Sequence, residues 1–373
     1  MKWLFWLSAS LVGYSYLGYP MWLWLRSWWS PRPVRLDASE PTVSAVMVVR
    51  NEEAVVRRKL ENLLALDYPR EKLEVVVLSD GSNDRTTAIL AEFERDPRVR
   101  TTVKPVAQGK AAGLNDGIEL ARGELLLFTD ARQQIERGAL RLLVENFADP
   151  EVGAASGQLM LGDPANGETE KGMGLYWRIE KKIRELESAS GSVAGATGAI
   201  YCARRSLLGR LPKDTILDDV LLPMQVIRKG SRVVFDARAR AWDTPDLGDS
   251  REFARKVRTL SGNYQLLELA PWLLSRENAI RFEFVSHKLT RLVVPFALLG
   301  LMVASVFLRE PVYRAALAAQ VAFYALSLSA LCGLKAGPLS RFSDVARTFV
   351  VLNSAAAVAF VNFVTGRKAV WVR

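Results

Sequence analysis

The chain reads VVVLSDGSNDRTT over residues 75–87 and changes from apolar to polar at Ser79. The β-branched apolar run that opens this stretch is typical of a strand buried on both faces of a parallel sheet. Residues 80–83 (DGSN) favour a turn directly behind the strand. Helical spacing resumes at residues 86–93, so the stretch predicts a strand, a polar loop and a helix in succession.

The same alternation continues on both sides of this stretch. Apolar runs predict strands at residues 43–49, 73–78, 99–103 and 125–129, and helical patterns predict helices at residues 53–64, 86–93 and 110–121. Alternation of this kind predicts a mostly parallel α/β sheet. Ligands of such sheets bind outside the carboxyl ends of the strands.

Polar side chains follow three of the predicted strands. Asn51 and Glu52 follow the first strand, Asp80 ends the second, and Asp130 follows the strand at residues 125–129. A single acid at such a position is usually explained by capping of the next helix. Three polar strand ends in one domain favour a shared binding edge instead.

The composition excludes several classes of protein. The 373 residues are 50% hydrophobic, which is not the composition of a disordered chain. Two cysteines, Cys202 and Cys332, cannot build a disulfide scaffold or a zinc cluster. The single histidine, His287, excludes multi-histidine metal sites and is expected near the membrane interface. Nucleic-acid binding is not predicted, because no basic run interleaves with aromatic residues.

Apolar residues concentrate at the two ends of the chain. Segments long enough to cross a bilayer lie at residues 1–25, 289–308, 312–334 and 348–364. Tryptophans flank the first segment, as in an interfacial belt. A cleaved signal peptide is the alternative for residues 1–25, but the apolar run is long and no small-residue cleavage site follows it. We therefore predict about four transmembrane helices, one N-terminal and three C-terminal.

Basic residues set the expected orientation. Arg26, Arg32 and Arg35 follow the first segment, and a second basic group separates the last two segments. Placing both groups inside puts the middle of the chain in the cytoplasm and accounts for the formal net charge of +10. The second group is Lys335, Arg341 and Arg347, whereas Arg367, Lys368 and Arg373 then fall outside, against the rule. The resulting division is a transmembrane helix at 1–25, a cytoplasmic domain at 26–250, interfacial amphipathic helices at 251–288 and transmembrane helices at 289–373.

An ordered series of short motifs resembles the membrane-bound glycosyltransferases of family 2. The motifs are VSAVMVVRNEE (43–53), VVVLSDGSNDRTT (75–87), GKAAGLN (109–115), LLLFTD (125–130), GATGAIYCARRSLL (195–208) and LDDVLLPM (217–224). Each motif is weak alone, but their order and spacing are specific. The resemblance implies a GT-A-type, Rossmann-like α/β domain and an inverting sugar transfer.

The resemblance also implies roles for individual residues. Glu52 and Asp80 match positions that contact the nucleoside, and Lys110 matches a basic position near the nucleotide. Asp130 matches the first Asp of the DxD motif, which meets the diphosphate and a divalent metal, Mg²⁺ or Mn²⁺. Asp219 matches the last Asp of the TED motif, the general base. An N-cap is the alternative role for Asp219, and the two roles are compatible.

The sequence departs from the family at two motifs. Arg132 stands where the DxD motif has its second Asp, which puts metal coordination in doubt. Its guanidinium could place a fixed charge against the diphosphate, or it could be a solvated surface residue. Arg255 and Arg258 fall in the QxxRW motif, but Arg255 and Thr259 replace its Gln and Trp. This departure weakens any claim of processive polymer synthesis.

Residues 251–267 have the spacing of an amphipathic helix. Phe253, Val257, Leu260, Tyr264 and Leu267 fall on one face, and Arg251, Arg255, Arg258 and Gly262 fall on the other. The pattern predicts a helix at a membrane surface. Arg255 and Arg258 are expected to meet the diphosphate or the acceptor, and contact with lipid headgroups is the alternative.

The expected function is transfer of a sugar from a nucleotide-sugar donor, a UDP-sugar, to a membrane-proximal acceptor. The acceptor is expected to be a growing cell-surface or exported glycan, with the enzyme in the inner membrane and its domain facing the cytoplasm. Two alternatives stay open: single addition to a lipid carrier or glycolipid, and a degenerate, non-catalytic synthase subunit.

Overall fold

The computed structural model describes residues 1–162, 175–243, 249–331 and 340–367. Its strands form one mixed eight-stranded sheet with the order β3-β2-β1-β4-β7-β6-β8-β5. The strands are β1 (Val43–Val49), β2 (Leu73–Asp80), β3 (Val99–Lys104), β4 (Leu125–Phe128), β5 (Gln134–Ile135), β6 (Val152–Leu161), β7 (Tyr201–Arg204) and β8 (Arg232–Asp243).

Helices cover both faces of this sheet and extend beyond it. They are α1 (Lys2–Gly13), α2 (Tyr19–Trp29), α3 (Val56–Leu64), α4 (Thr86–Phe93), α5 (Lys110–Leu120), α6 (Ala139–Glu145), α7 (Leu175–Ser190), α8 (Asp218–Arg228), α9 (Asp249–Leu269), α10 (Arg281–Phe284), α11 (Thr290–Phe307), α12 (Pro311–Leu331) and α13 (Ser340–Val364). Apolar side chains of α3 and α6 pack on one face of the sheet, and those of α5 and α8 pack on the other.

The predicted parallel sheet is confirmed in its first half. Strands β1 to β4 are mutually parallel, and β1 and α4 have the predicted bounds. In the second half, β7 runs antiparallel to both β4 and β6, so the sheet as a whole is mixed. The helix predicted from residue 53 begins at Val56, because residues 53–55 form a turn in which the amides of Val55 and Val56 bond the Glu52 carbonyl.

Helices occupy the described parts of all four segments predicted to cross the membrane. Helix α1 joins α2 through a π-helical turn at Tyr14–Gly18, and a similar turn joins α10 to α11. Among the described residues, two helices are long and apolar enough to cross a membrane, Arg281–Phe307 and Phe342–Val364. Residues 332–334 of the third predicted segment lie outside the described residues, as do Cys332, Lys335, Lys368 and Arg373.

The amphipathic helix predicted at residues 251–267 is α9, and both of its faces are packed. Tyr264 stacks on Phe363 of α13 at 5.1 Å between ring centroids. On the other side, a Cβ added at Gly262 would lie 2.6 Å from Leu217. Gly262 therefore allows α9 to pass close to the start of α8, where the candidate base lies.

Candidate active site

Asp80 ends β2 and organises the loop before α5. Its two carboxylate oxygens accept hydrogen bonds from the backbone amides of Gln108 (2.7 Å) and Gly109 (2.8 Å). Gly81 has φ +65°, and a Cβ there would lie 2.5 Å from the amide nitrogen of Ala107. Asp80 thus fixes the backbone immediately before Lys110, a role that the sequence did not predict.

Glu52 lies in the loop after β1, which is bonded to the loop after β2. Its amide donates to Thr86 Oγ1 at 2.8 Å, and Asn51 accepts from the amide of Asn83 at 2.9 Å. Burial and the charge of Asp130 raise the pKa of Glu52. Glu52 and Asp130 therefore share the same edge of the sheet, as predicted.

Lys110 is the first residue of α5 and supplies a positive charge to this edge. Its Nζ lies 2.8 Å from Asp130 Oδ1 and 3.2 Å from Asp218 Oδ2. Burial lowers the pKa of the Lys110 ammonium, but the two carboxylates outweigh that effect and raise it. Lys110 is therefore cationic in this site.

Asp218 and Asp219 open α8 and face the same cluster. Asp219 Oδ2 accepts a hydrogen bond from the amide of Gly198 at 3.2 Å. A Cβ added at Gly198 would lie 3.3 Å from Asp130 Oδ2 and 3.6 Å from Asp219 Oδ2, so both acids border this glycine. The N-cap residue of α8 is Leu217, and the Asp219 carboxylate bonds a different segment rather than capping its own helix.

The electrostatics of the pair suit a base. Burial and the neighbouring Asp218 charge raise the pKa of Asp219 to about 6, against the opposing effect of Lys110. Burial also raises the pKa of Asp218, which is 5% exposed and bonded to Lys110. A carboxylate with a pKa near neutrality is a better proton acceptor than an ordinary one.

Arg132 forms an ion pair with an acid that is not a member of this cluster. Its Nη2 lies 2.6 Å from Oδ2 of Asp243, whose side chain is only 3% exposed. Gln133 donates to the same oxygen at 3.2 Å. In this structure Arg132 is committed to a buried ion pair at the end of β8, which matches neither the diphosphate contact nor the solvated surface residue expected from sequence.

The two arginines expected to contact the diphosphate or the acceptor lie on α9. Arg255 donates to Glu252 on the same helix at 2.7 Å, and Arg258 is half-buried. The structure thus brings Glu52, Lys110, Asp130 and Asp219 to one edge. It directs Arg132 and Arg255 to carboxylates outside that cluster.

Sequence reasoning missed two residues at the edge. Gly198 donates to the candidate base, and its motif GATGAIYCARRSLL was used only as a family signal. Tyr201 stacks on Phe128 at 4.8 Å, and its buried hydroxyl has no hydrogen-bond partner among the described residues. Burial and the charges of Asp218 and Asp219 raise the pKa of Tyr201 well above its usual range.

Asp130 is the residue at this edge that would bind a divalent metal. Within the part of the chain that the structure describes, no group of three or more His, Cys, Asp or Glu residues could hold a metal. Asp130 is half-buried at the edge, with Oδ1 on Lys110 and Oδ2 beside Gly198. Mg²⁺ is commonly held by one or two carboxylates together with phosphate oxygens and water, so Asp130 is compatible with such a metal.

Comparison with known proteins identifies the fold and a family match for part of the chain. The structure superposes on a mannosyltransferase of Pyrobaculum calidifontis, solved in complex with GDP-Man and Mn²⁺, with a TM-score of 0.73 and 22% identity, covering 98% of this chain and 100% of that one. The fold is therefore GT-A-like. Residues 44–211 match the family described as glycosyl transferase family 2.

Curated relatives agree with this assignment. The poly-beta-1,6-N-acetyl-D-glucosamine synthase of Staphylococcus epidermidis is 25% identical over 229 residues, which are 60% of this chain and 55% of that protein. The beta-monoglucosyldiacylglycerol synthase of Trichormus variabilis is 28% identical over 197 residues, 51% of this chain and 42% of that protein. The chain spans about half the length of these relatives.

Proposed function

We propose that this chain transfers a sugar, with inversion, from a nucleotide-sugar donor to an acceptor at the membrane. The observation that carries the proposal is the convergence of Lys110, Asp130, Asp218 and Asp219 at the carboxyl edge of the sheet. The cation Lys110, the acid Asp130 on the diphosphate side and the base Asp219 thus lie at one edge. Sugar transfer by a single displacement requires such an arrangement. This intact set also argues against a degenerate, non-catalytic subunit.

The residues divide the chemistry between them. Asp219 accepts the proton of the acceptor hydroxyl, and Gly198 holds one of its oxygens in place. One base is enough for an inverting displacement, because no covalent sugar intermediate has to form. Lys110 lies where its charge can stabilise the departing diphosphate.

The nucleotide side of the site is assigned to the loops after β1 and β2. Glu52 and the loop fixed by Asp80 border the edge and would hold the nucleoside. A divalent metal, Mg²⁺ or Mn²⁺, would bind Asp130 and would supply positive charge to the diphosphate. Arg132 and Arg255, which pair with Asp243 and Glu252 in this structure, and Arg258 would contact the diphosphate or the acceptor.

The membrane assignment rests on the surface of the helices outside the sheet. Trp3 and Trp28, near the two ends of the α1–α2 helix, are 82% and 80% exposed. Exposed tryptophans at two ends of a helix fit the two interfaces of a bilayer. With the two apolar helices, this supports an inner-membrane protein whose sheet domain faces the cytoplasm, where nucleotide sugars are made.

The relatives' names point to two acceptors. One is named as a polysaccharide synthase and the other as a glycolipid synthase. We propose a growing cell-surface or exported glycan and a UDP-sugar donor. Single addition to a lipid is the alternative, which the altered QxxRW residues Arg255 and Thr259 favour.

The test uses membranes that contain the full chain and a panel of labelled UDP-Glc, UDP-GlcNAc and GDP-Man. We expect one donor to be consumed, with loss of turnover in Asp219→Asn and retention in Asp214→Asn. Asp214 is exposed and adopts φ +62°, a conformation that Asn tolerates, so it is a matched acid-to-amide control. Long polymer supports the glycan acceptor, and one sugar on an extracted lipid supports the alternative. Equal consumption by wild type and Asp219→Asn would refute the proposal.

A further inference from the structure

Lys59 is a buried amine that the proposed chemistry does not use. It lies on α3 and is 1% exposed. Among the described residues it has no carboxylate within ion-pair distance. A buried lysine without a counter-ion is costly, so its hydrogen bonds have to account for its position.

Those bonds close the loop that carries Asp130. The Nζ of Lys59 donates to Thr129 Oγ1 and to the carbonyl of Gln133, each at 2.7 Å. The two acceptors stand immediately before and after residues 130–132, the altered DxD motif. Lys59 therefore links the two residues that flank this three-residue segment.

The same bonds continue to the segment that holds the base. The Thr129 hydroxyl donates onward to the carbonyl of Ala199 at 2.7 Å. Ala199 follows Gly198, whose amide donates to Asp219 at 3.2 Å. Lys59 is thus linked through Thr129 and the peptide at residues 198–199 to the candidate base.

The linkage does not depend on the charge of the lysine. Burial lowers the pKa of Lys59 to about 7, the opposite direction from Lys110. An amine has two hydrogens and an ammonium has three, so either form can make both bonds. The buried side chain serves as a donor of hydrogen bonds.

We propose that Lys59 is a positioning residue that sets the distance between Asp130 and Asp219 by joining the segments at residues 129–133 and 197–200. This inference rests on the proposed function for its catalytic consequence. The mechanical consequence, the ordering of the two segments, is independent of which reaction the site performs.

The test compares Lys59→Met with Leu63→Met, a volume-conserving change at another buried position of α3. We expect Lys59→Met to lower kcat about 10- to 100-fold while KM for the donor changes less than about threefold, because misplaced groups slow the reaction without removing donor contacts. Amide hydrogen exchange should accelerate at residues 129–133 and 197–200 and stay unchanged in β1 and β2. Leu63→Met should leave both readouts near wild type.

Thr129→Val breaks the same linkage without touching the lysine and decides the matter if Lys59→Met does not fold. Its effect on kcat should not add to that of Lys59→Met, because both changes cut one chain of bonds. Wild-type kcat in both variants, additive effects, or exchange that accelerates throughout the domain would overturn the inference. If the wild type transfers no sugar, the proposed function fails, while the exchange experiment still tests the role of Lys59.

Discussion

The ammonium of Lys110 lies 2.8 Å from the Oδ1 of Asp130, so the start of α5 and the end of β4 meet in one ion pair. Asp218 shares the same ammonium at 3.2 Å, and Asp219 follows directly in the chain. One cation therefore balances several acids at this edge. Burial and the shortage of positive charge raise the pKa of both Asp218 and Asp219, and that of Asp219 rises to about 6.

The first prediction concerns the pH dependence of transfer. Burial and Asp218 raise the pKa of Asp219 to about 6, so the carboxylate is ionised and able to accept a proton only above that pH. We expect kcat/KM to fall about tenfold for each pH unit below 6, because protonated Asp219 cannot act as the base. Initial rates measured from pH 4.5 to 8.5 test this expectation.

Asp218→Asn provides the matched control for this assignment. It removes the like charge beside Asp219 and one of the carboxylates that share Lys110, so the pKa of Asp219 should fall. The loss of kcat/KM on the acid side of the pH profile should therefore move to lower pH. If kcat/KM of the wild type falls only near pH 4, or if the fall moves to higher pH in the variant, Asp219 is not the titrating group.

The second prediction tests the space between the two acids. A Cβ at Gly198 would lie 3.3 Å from Asp130 Oδ2, a distance at which the carboxylate has to shift by a few tenths of an ångström. We expect Gly198→Ala to lower kcat by roughly tenfold, since small displacements of reacting groups slow catalysis. The melting temperature should change little. Gly138→Ala, which meets nothing within 4 Å, is the control, and equal activity of the two variants would contradict the prediction.

Much of the fold follows from local pattern. Strand β1 and helix α4 have the predicted bounds because each is specified by a short run of apolar spacing. The acids converge as predicted, since parallel strands bring their carboxyl ends to one edge. Strands β5 to β8 were not predicted; they pair across long sequence separations and partly antiparallel, which local periodicity does not encode.

The contacts that sequence could not supply are distant pairs of charged residues. Arg132 meets Asp243, 111 residues later, and nothing near Arg132 indicates that partner. Lys59 lies on an amphipathic helix, where a lysine normally reaches water, yet its acceptors are 70 and 74 residues away. His287, expected at the interface, is buried between two glutamates that lie 100 and 107 residues earlier in the chain.

The third prediction separates structure from chemistry at Arg132. Arg132→Ala leaves Asp243 buried without its cation, and removing one partner of a buried pair is strongly destabilising. Because Arg132 is 37% exposed, we expect a loss of about 2–3 kcal/mol in the free energy of unfolding, below the usual range for fully buried pairs. Adding Asp243→Asn should recover part of that loss, as measured by thermal unfolding in detergent.

The activity of the double variant then shows whether Arg132 also contacts the diphosphate of the donor. If Arg132 only stabilises the fold, the recovered protein transfers sugar at a rate close to wild type. A persistent loss of kcat after stability is restored would assign Arg132 to the diphosphate. Full stability of Arg132→Ala would remove the structural role altogether.

A buried cluster joins the sheet domain to the helices outside it. His287 is 2% exposed, with Nδ1 2.8 Å from Glu187 and Nε2 3.0 Å from Glu180, both on α7. Arg291 of α11 adds a bond to Glu180 at 2.7 Å. Burial raises the pKa of Glu180, but His287 and Arg291 outweigh that effect and hold it well below its usual value. Helix α7 ends at Ser190, shortly before the segment that carries Gly198.

The last prediction is that His287→Ala destabilises this junction. The change leaves two buried carboxylates without a shared partner, and we expect a loss of about 3–5 kcal/mol, the range for breaking a buried pair. A carboxyl whose pKa is depressed stabilises the fold above its unfolded pKa and loses that contribution as pH falls, so wild type should weaken toward acid pH and His287→Ala should weaken less. Lys182→Ala, which breaks an exposed pair with Glu185 on the same helix, should cost less than about 1 kcal/mol. Thermal unfolding from pH 2.5 to 7 measures all three proteins, because the contribution of a carboxyl with a depressed pKa is lost only below its unfolded pKa. Equal stability of the two variants would mean that the cluster does not join α7 to the helix at Arg281–Phe307.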